Sequence, residues 1–556
     1  MEKAVIYQIF TRVCCNSGGT NVTGGDIRTN GSGKLNSFTP VVLDKIKSMG
    51  VTHIWFTGLI AHASCTDYSK YGIPESHPGT VKGRAGSPYA IRDYYDIDPD
   101  LAVSVPDRMA EFQALVDRVH KAGMKFIMDF VPNHVAREYR SIAKPARVKD
   151  LGQTDDKELA FSPRNNFYYL PGQQLAGEPD WGDYKEFPAR ATGNDKFSAA
   201  PSYSDWYETI KLNYGVDYMA GMQRSFDPVP DTWNKMLDIL LFWAGKRVDA
   251  FRCDMAEMVP VEFWDWAVSR VKKAHKKIQF IAEIYNPGSY WDYLNRGHFD
   301  YIYDKVGLYD TLRAVVEGRE SATAITRCWQ QNGYNGPHML HFMENHDEQR
   351  IASRFFGGNA QKGRPAIIIS SLTDTCPVMI YAGQEIGEPG MDKEGFSGLD
   401  GRTTIFDYWA PDKLTRLYND GKWDDARLTQ DEFELKAFYS TLLRLCNKEK
   451  AISEGKFFDL MYVNPLSESF NPHKQYAFLR SDGKDTILVV TNFSEQPLAT
   501  AVNIPQHAFD YLELKEKDGI TVKELLSSQT FKANIHPDSP IRITVPALSG
   551  VVLRWR

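Results

Sequence analysis

A chain of 556 residues with 42% hydrophobic and 24% charged residues has the composition of an ordinary globular protein, with length for roughly two to four domains and a sizeable core. Its formal charge of −6 supplies no basic field for phosphates, which argues against nucleic acid, and no apolar run approaches the ~20 residues of a membrane span. Seven scattered cysteines show neither a C-x-x-C pair nor zinc-ligand spacing, so the thiols read as reduced and structural, while 13% aromatic residues favour stacking on neutral ligands. The opening run, Met1-Glu2-Lys3-Ala4-Val5-Ile6-Tyr7, enters a strand at once and lacks the basic-then-apolar plan of a leader. That points to the cytoplasm, or to the periplasm or exterior if a leader has been removed.

Apolar runs predict eight strands, at 4–11, 52–59, 125–131, 248–254, 279–285, 299–304, 340–345 and 377–382. Helical spacing separates them: Met109, Phe112, Leu115, Val116 and Val119 mark a helix over 106–122, and Phe433, Leu435, Phe438, Leu442 and Leu445 mark another over 432–447. Strand then helix, repeated, implies parallel strands, here an α/β fold of the (β/α)8 TIM-barrel type spanning 1–134 and 216–452. The stretch 135–215, rich in Pro, Gly, Asn and aromatic residues, is too long for a simple crossover and reads as a subdomain inserted after the third strand, walling a cleft. From 453 to 556 the pattern changes to short alternating segments, among them 475–480, 486–492 and 541–554, which predict an antiparallel β-sandwich domain.

Four segments end apolar runs in polar residues: Asp129-Phe130-Val131-Pro132-Asn133-His134, Phe251-Arg252-Cys253-Asp254, Ala282-Glu283 and Asn345-His346-Asp347. In a parallel barrel the C-terminal strand ends form the active face, so Asp254, Glu283 and Asp347 are expected there. Cleaving a glycosidic bond needs a protonated acid for the leaving oxygen and a carboxylate for the oxocarbenium-like carbon. Arg252 shares a strand face with Asp254 and is expected to hold it ionised, while Cys253 turns away. Phe280, Ile281 and Ala282 predict an apolar setting that raises the Glu283 pKa, as a proton donor requires. His346-Asp347 suits gripping sugar hydroxyls. The bland alternatives are a barrel-end ion-pair network and, for His134 and His346, satisfied core histidines.

In order, spacing and barrel position these segments resemble glycoside hydrolase family thirteen, the α-amylase family. Gly50-Val51-Thr52 ahead of the second strand and Gly383-Gln384-Glu385-Ile386-Gly387 after the eighth are similar to it as well. The resemblance implies a retaining reaction on α-1,4-linked glucans or maltooligosaccharides, with Asp254 as nucleophile, Glu283 as general acid/base and Asp347 as transition-state stabiliser. It also implies that Arg252 supports the nucleophile and that His134 and His346 bind sugar hydroxyls. Tyr89, within Ser87-Pro88-Tyr89-Ala90-Ile91-Arg92-Asp93-Tyr94, is expected to stack on the sugar being cleaved. Transglycosylation by the same three carboxylates is the close alternative, and a noncatalytic amylase-like binding protein the remote one.

No cofactor is required for this chemistry, and calcium enters only as a structural ion. Relatives that bind it between barrel and insertion often carry Asp where this chain has Lys211, and Asn133 alone does not make a calcium site. The polar loop 16–36, with Asp26 and Asn30, is a weaker place for it. A second departure is Glu257-Met258, where starch-cleaving relatives carry Lys-His; it points to a shorter maltooligosaccharide, another α-glucoside or a sugar acceptor. Trp181 and Trp206 are expected to build the core of the insertion, not sugar platforms.

Overall fold

The computed structural model describes residues 2–18, 20–390, 396–537 and 539–556. All eight expected strands form, as Val5–Phe10, His53–Thr57, Lys125–Phe130, Ala250–Cys253, Gln279–Ala282, Tyr301–Tyr303, Met339–Phe342 and Val378–Tyr381. Each pairs in parallel with its sequence neighbours, and the first pairs with the eighth, so the sheet closes. The two predicted helices are Arg108–Lys121 and Gln430–Lys448, the latter started by a Thr429–Glu432 capping box that satisfies two otherwise orphaned backbone donors.

Strand alternation divides the side chains into two cores. Val5, Tyr7, Ile9, Phe251 and Phe280 point outward and join the large core under the helices. Ile6, Trp55, Ile127, Ala250, Ile281, Leu340 and Met379 point inward and fill the barrel. Two residues further along, the inward positions turn polar: Ile6 is followed by Gln8, Ile127 by Asp129, Ala250 by Arg252 and Asp254, and Ile281 by Glu283. This switch from apolar to charged along one strand face puts the chemistry on the C-terminal rim.

The insertion is rooted by an antiparallel pair, His134–Ala136 with Thr209–Lys211, in which His134 lies opposite Lys211. It runs past the expected end at 215: residues Val216–Asp217 and Gln223–Arg224 form a further hairpin, and barrel structure resumes with the helix Asp231–Gly245, whose start follows Pro228 and Pro230. The C-terminal domain is a six-stranded antiparallel sheet with a second two-stranded sheet, Leu498–Val502 with Ile541–Val545, packed on it. Arg480 is one of the ties in its joint with the barrel. This buried guanidinium donates to four main-chain carbonyls, those of Thr373, Ala451, Ile452 and Gly455, at 2.5–3.2 Å. Among the described residues no helix is long and apolar enough to cross a membrane.

Candidate active site

A cleft of about 350 Å³ opens at the C-terminal rim, between barrel and insertion, lined by Asp254, Glu283, Asp347, Tyr89 and His134 among others. Five of the seven residues singled out from the sequence therefore border one space. The remaining two, Arg252 and His346, lie directly beneath, at 0% and 1% exposure.

Arg252 organises the floor. Its Nη1 donates to Asp254 Oδ1 at 2.9 Å and Asp129 Oδ1 at 3.2 Å, its Nη2 meets Glu283 Oε2 at 2.8 Å, and its Nε reaches the Tyr303 hydroxyl at 3.0 Å. The sequence placed Arg252 beside Asp254, and in the structure its one positive charge serves three carboxylates. Burial, and then the Glu283 charge, push the Asp254 carboxyl well above the ordinary range, with Arg252 opposing. Asp129 is pushed up to about 6 by burial, against Arg252 and the Trp55 indole N–H, which donates to it at 3.0 Å. Asp129 is a structural partner at the base of the site, bonded to its floor.

Glu283 does not sit in the apolar setting its sequence neighbours suggested. Alternation turns Phe280 and Ala282 into the outer core, and the carboxyl meets polar partners. Oε2 also accepts the Met255 N–H at 2.8 Å, and Oε1 accepts the Tyr285 hydroxyl at 2.6 Å. Met255 adopts φ 42°, a left-handed conformation costly for a residue with a side chain, and this turn just past Asp254 aims its N–H at Glu283.

His346 is held from three sides. Its Nε2 lies 2.5 Å from the Tyr89 hydroxyl and 3.0 Å from Asp347 Oδ2, and its Nδ1 2.8 Å from Gln8 Nε2. Burial and the Arg252 charge lower its pKa to about 3, so the ring is neutral at physiological pH. The Tyr89 ring stacks on His346, with centroids 5.3 Å apart, leaving it 8% exposed toward the cleft. Asp347 is raised by burial. His134 is lowered to about 3 by burial and by the Lys211 and Lys82 charges, and its ring faces Trp206 at 5.2 Å.

The residues at the barrel–insertion junction do not fit calcium. Lys211 Nζ donates to Asn133 Oδ1 at 2.5 Å and lies 2.6 Å from Asp195 Oδ1, and the Met258 carbonyl is its third partner at 3.3 Å. An ammonium thus takes the oxygens that a hard cation would need. In the loop 16–36, Asp26 caps Thr29 while Asn30 bonds to Val22 and Tyr408, so these side chains tether the loop. Glu257 accepts the Tyr285 and Asn286 N–H groups and so holds the loop after Glu283.

Sequence reasoning missed several lining residues: Lys82, Ser87, Trp206, Glu208, Thr209, Met255, Tyr285, Ile405 and Phe406. Tyr285 carried a signal, being one strand period beyond Glu283. Trp206 is on the cleft wall, correcting its assignment to the insertion's core. Trp181 does pack inside the insertion, against Tyr207 and Arg137.

Residues 8–441 match the family model "Alpha amylase, catalytic domain", and residues 467–556 match "Alpha amylase, C-terminal all-beta domain". The chain is 24% identical to an α-amylase of Streptomyces lividans over 92% of its own length, though it spans only 55% of that protein. It is 22% identical to neopullulanase 2 of Thermoactinomyces vulgaris, covering 91% of this chain and 72% of the other. A solved maltogenic α-amylase from Thermotoga neapolitana has the same fold, with a TM-score of 0.63 at 19% identity over 99% of this chain and 98% of that one.

Proposed function

The chain belongs to the α-amylase family of glycoside hydrolases, and on that premise we propose that it hydrolyses α-1,4-linked glucans or maltooligosaccharides with retention at the anomeric carbon. The observation that carries this reading is the guanidinium bridge: Arg252 touches Asp254 with one amino group and Glu283 with the other, in a cleft shared with Asp347. Only neighbouring carboxylates can be bridged in this way, which supports the close approach of ~5–5.5 Å that a covalent intermediate needs.

In the first step Glu283 gives its proton to the glycosidic oxygen as the C1–O bond breaks, and an Asp254 oxygen bonds to C1. The freed sugar leaves with that proton. In the second step the ionised Glu283 takes a proton from water, whose oxygen attacks C1 and returns Asp254 as carboxylate. Asp347 places negative charge beside the cation-like carbon in both steps. The crowding of Asp254, Glu283, Asp347 and Asp129 around one guanidinium suits this exchange, because one proton in the group is cheap to hold and to move. His134, neutral and on the wall, serves the sugar hydroxyls, as does the Tyr89–His346 stack beneath. The Lys211 ammonium fills the junction where relatives place calcium, so the reading includes no calcium there.

Glu283→Gln keeps the size and one acceptor oxygen, enough for either the Tyr285 or the Met255 bond, and removes the transferable proton. Turnover of maltoheptaose should fall at least 10³-fold with the circular dichroism spectrum unchanged. Retained hydrolysis refutes the assignment. Products longer than the starting sugar, as the main outcome with wild-type protein, replace hydrolysis by transglycosylation.

A further inference from the structure

We propose that the end of the cleft around Lys82 and Glu208 is a closed wall that receives the non-reducing terminus of the glucan and makes this an end-acting enzyme. The inference rests on the glycosidase reading above. Glu283, as proton donor, stands on the leaving-group side, and Met255 and Tyr285, bonded to it, mark that side of the cleft. The lining residues Lys82, Glu208, Ile405 and Phe406 belong to three other segments, which are fastened to one another.

The fastening is extensive. The Ala85 N–H donates to the Phe406 carbonyl at 3.0 Å. Lys82 Nζ donates to the Asp205 carbonyl at 3.1 Å and pairs with Glu208 Oε2 at 3.0 Å, joining the loop before Tyr89 to the insertion. From below, Arg12 donates to the carbonyls of Ala85, Gly86 and Ile405 at 3.0–3.1 Å. Gly83, at φ +66°, lies so close to the Phe406 main chain that a Cβ there would collide with its carbonyl. Three backbone segments with this many cross-links make a rigid barrier where an endo-acting cleft would need an open groove for the continuing chain.

The barrier also carries recognition chemistry. Lys82 and Glu208 are 8% and 4% exposed, a charged pair kept at the edge of a small cleft. Of the three ammonium donors the Asp205 carbonyl takes one, and the buried Glu208 Oε2 beside it has no hydrogen-bond partner among the described residues, so the pair keeps both donor and acceptor capacity for sugar hydroxyls. A fixed donor beside a carboxylate matches the adjacent free hydroxyls of a terminal ring. An internal ring, substituted at O4, has no such hydroxyl there. Phe406 and Trp206 line the same cleft and add aromatic surface to it.

Maltoheptaose blocked at its non-reducing end by a 4,6-O-ethylidene group, compared with the unblocked sugar, tests the wall. We expect the blocked chain to be cleaved at least tenfold more slowly by the wild-type protein. Lys82→Ala and Glu208→Ala should each narrow that ratio, a change in selectivity that general loss of folding does not produce. Equal rates on the two sugars overturn the wall while leaving the glycosidase reading in place, because turnover of unblocked maltoheptaose reports on that reading separately. No turnover of either sugar overturns both.

Discussion

Arg252→Lys keeps the positive charge and tests whether its geometry matters. The guanidinium meets Asp254 at 2.9 Å, Glu283 at 2.8 Å, Asp129 at 3.2 Å and Tyr303 at 3.0 Å. A single ammonium on a shorter reach serves Asp254 or Glu283 but does not bridge them, so at least two charge-assisted bonds are lost. At ~1.5–3 kcal/mol each, that is ~3–6 kcal/mol, shared between folding and the transition state. With ~1.4 kcal/mol per factor of ten, kcat/KM on maltoheptaose should fall ~10²–10³-fold, and Tm should fall with it. The charge also moves away from Asp254, whose carboxyl Arg252 holds down against burial, so the acidic limb of the pH–rate profile should shift to higher pH. Steady-state kinetics from pH 4 to 9, with thermal melts in parallel, make the measurement. An R252K variant within threefold of wild type, with an unmoved acidic limb, refutes the shared-guanidinium account.

Asp129→Asn should shift that limb in the opposite direction, since the Asp129 charge is one of those raising Asp254. The same variant carries a stability signature. An aspartate raised to about 6 in the fold penalises folding above that pH, and the penalty vanishes as pH falls below the ordinary value near 4. Relative to wild type, the melting temperature of D129N should therefore be more favourable at pH 8 than at pH 4; the reverse order would rule the account out. Lys211→Met leaves the buried Asn133 Oδ1 without a donor, at a cost of ~1–3 kcal/mol, while Asp195, at 37% side-chain exposure, is rehydrated. A drop of several degrees in Tm is expected, whereas a chelator should leave the wild-type Tm unchanged. A wild-type melt that moves with EDTA would contradict the reading of the junction.

The barrel and its carboxylates were legible because both are written locally. Each strand is a short apolar run, and the change from Ile127 to Asp129, or from Ile281 to Glu283, needs only the two-residue period to be seen. What stayed hidden depends on residues distant in sequence. Lys82 becomes a cleft residue only because the insertion brings Glu208 back to it, and Trp206 reaches the wall through the pairing that sets His134 opposite Lys211. The setting of Glu283 was misread for a related reason: Phe280 and Ala282 adjoin it in sequence but face the other core, and its real neighbours, Arg252, Met255 and Tyr285, come from strand ends and turns. The Lys211 ammonium was foreseen from a single residue type, and its partners Asp195 and Met258 were not.

The joint between barrel and C-terminal domain has a consequence for how the sequence tolerates change. Among the described residues Arg480 donates to main-chain oxygens at Thr373, Ala451, Ile452 and Gly455, and a carbonyl is the same group whatever side chain its residue bears. Gly455 is the exception among the four positions, because a Cβ there would collide with the Ala451 carbonyl, whereas any substitution at Arg480 strands all four acceptors at once. The mutational sensitivity of these four contacts is thereby concentrated in one codon, while the Asp459 bonds to Thr326 and Trp329 and the Arg554–Glu449 pair tie the same joint through particular side chains.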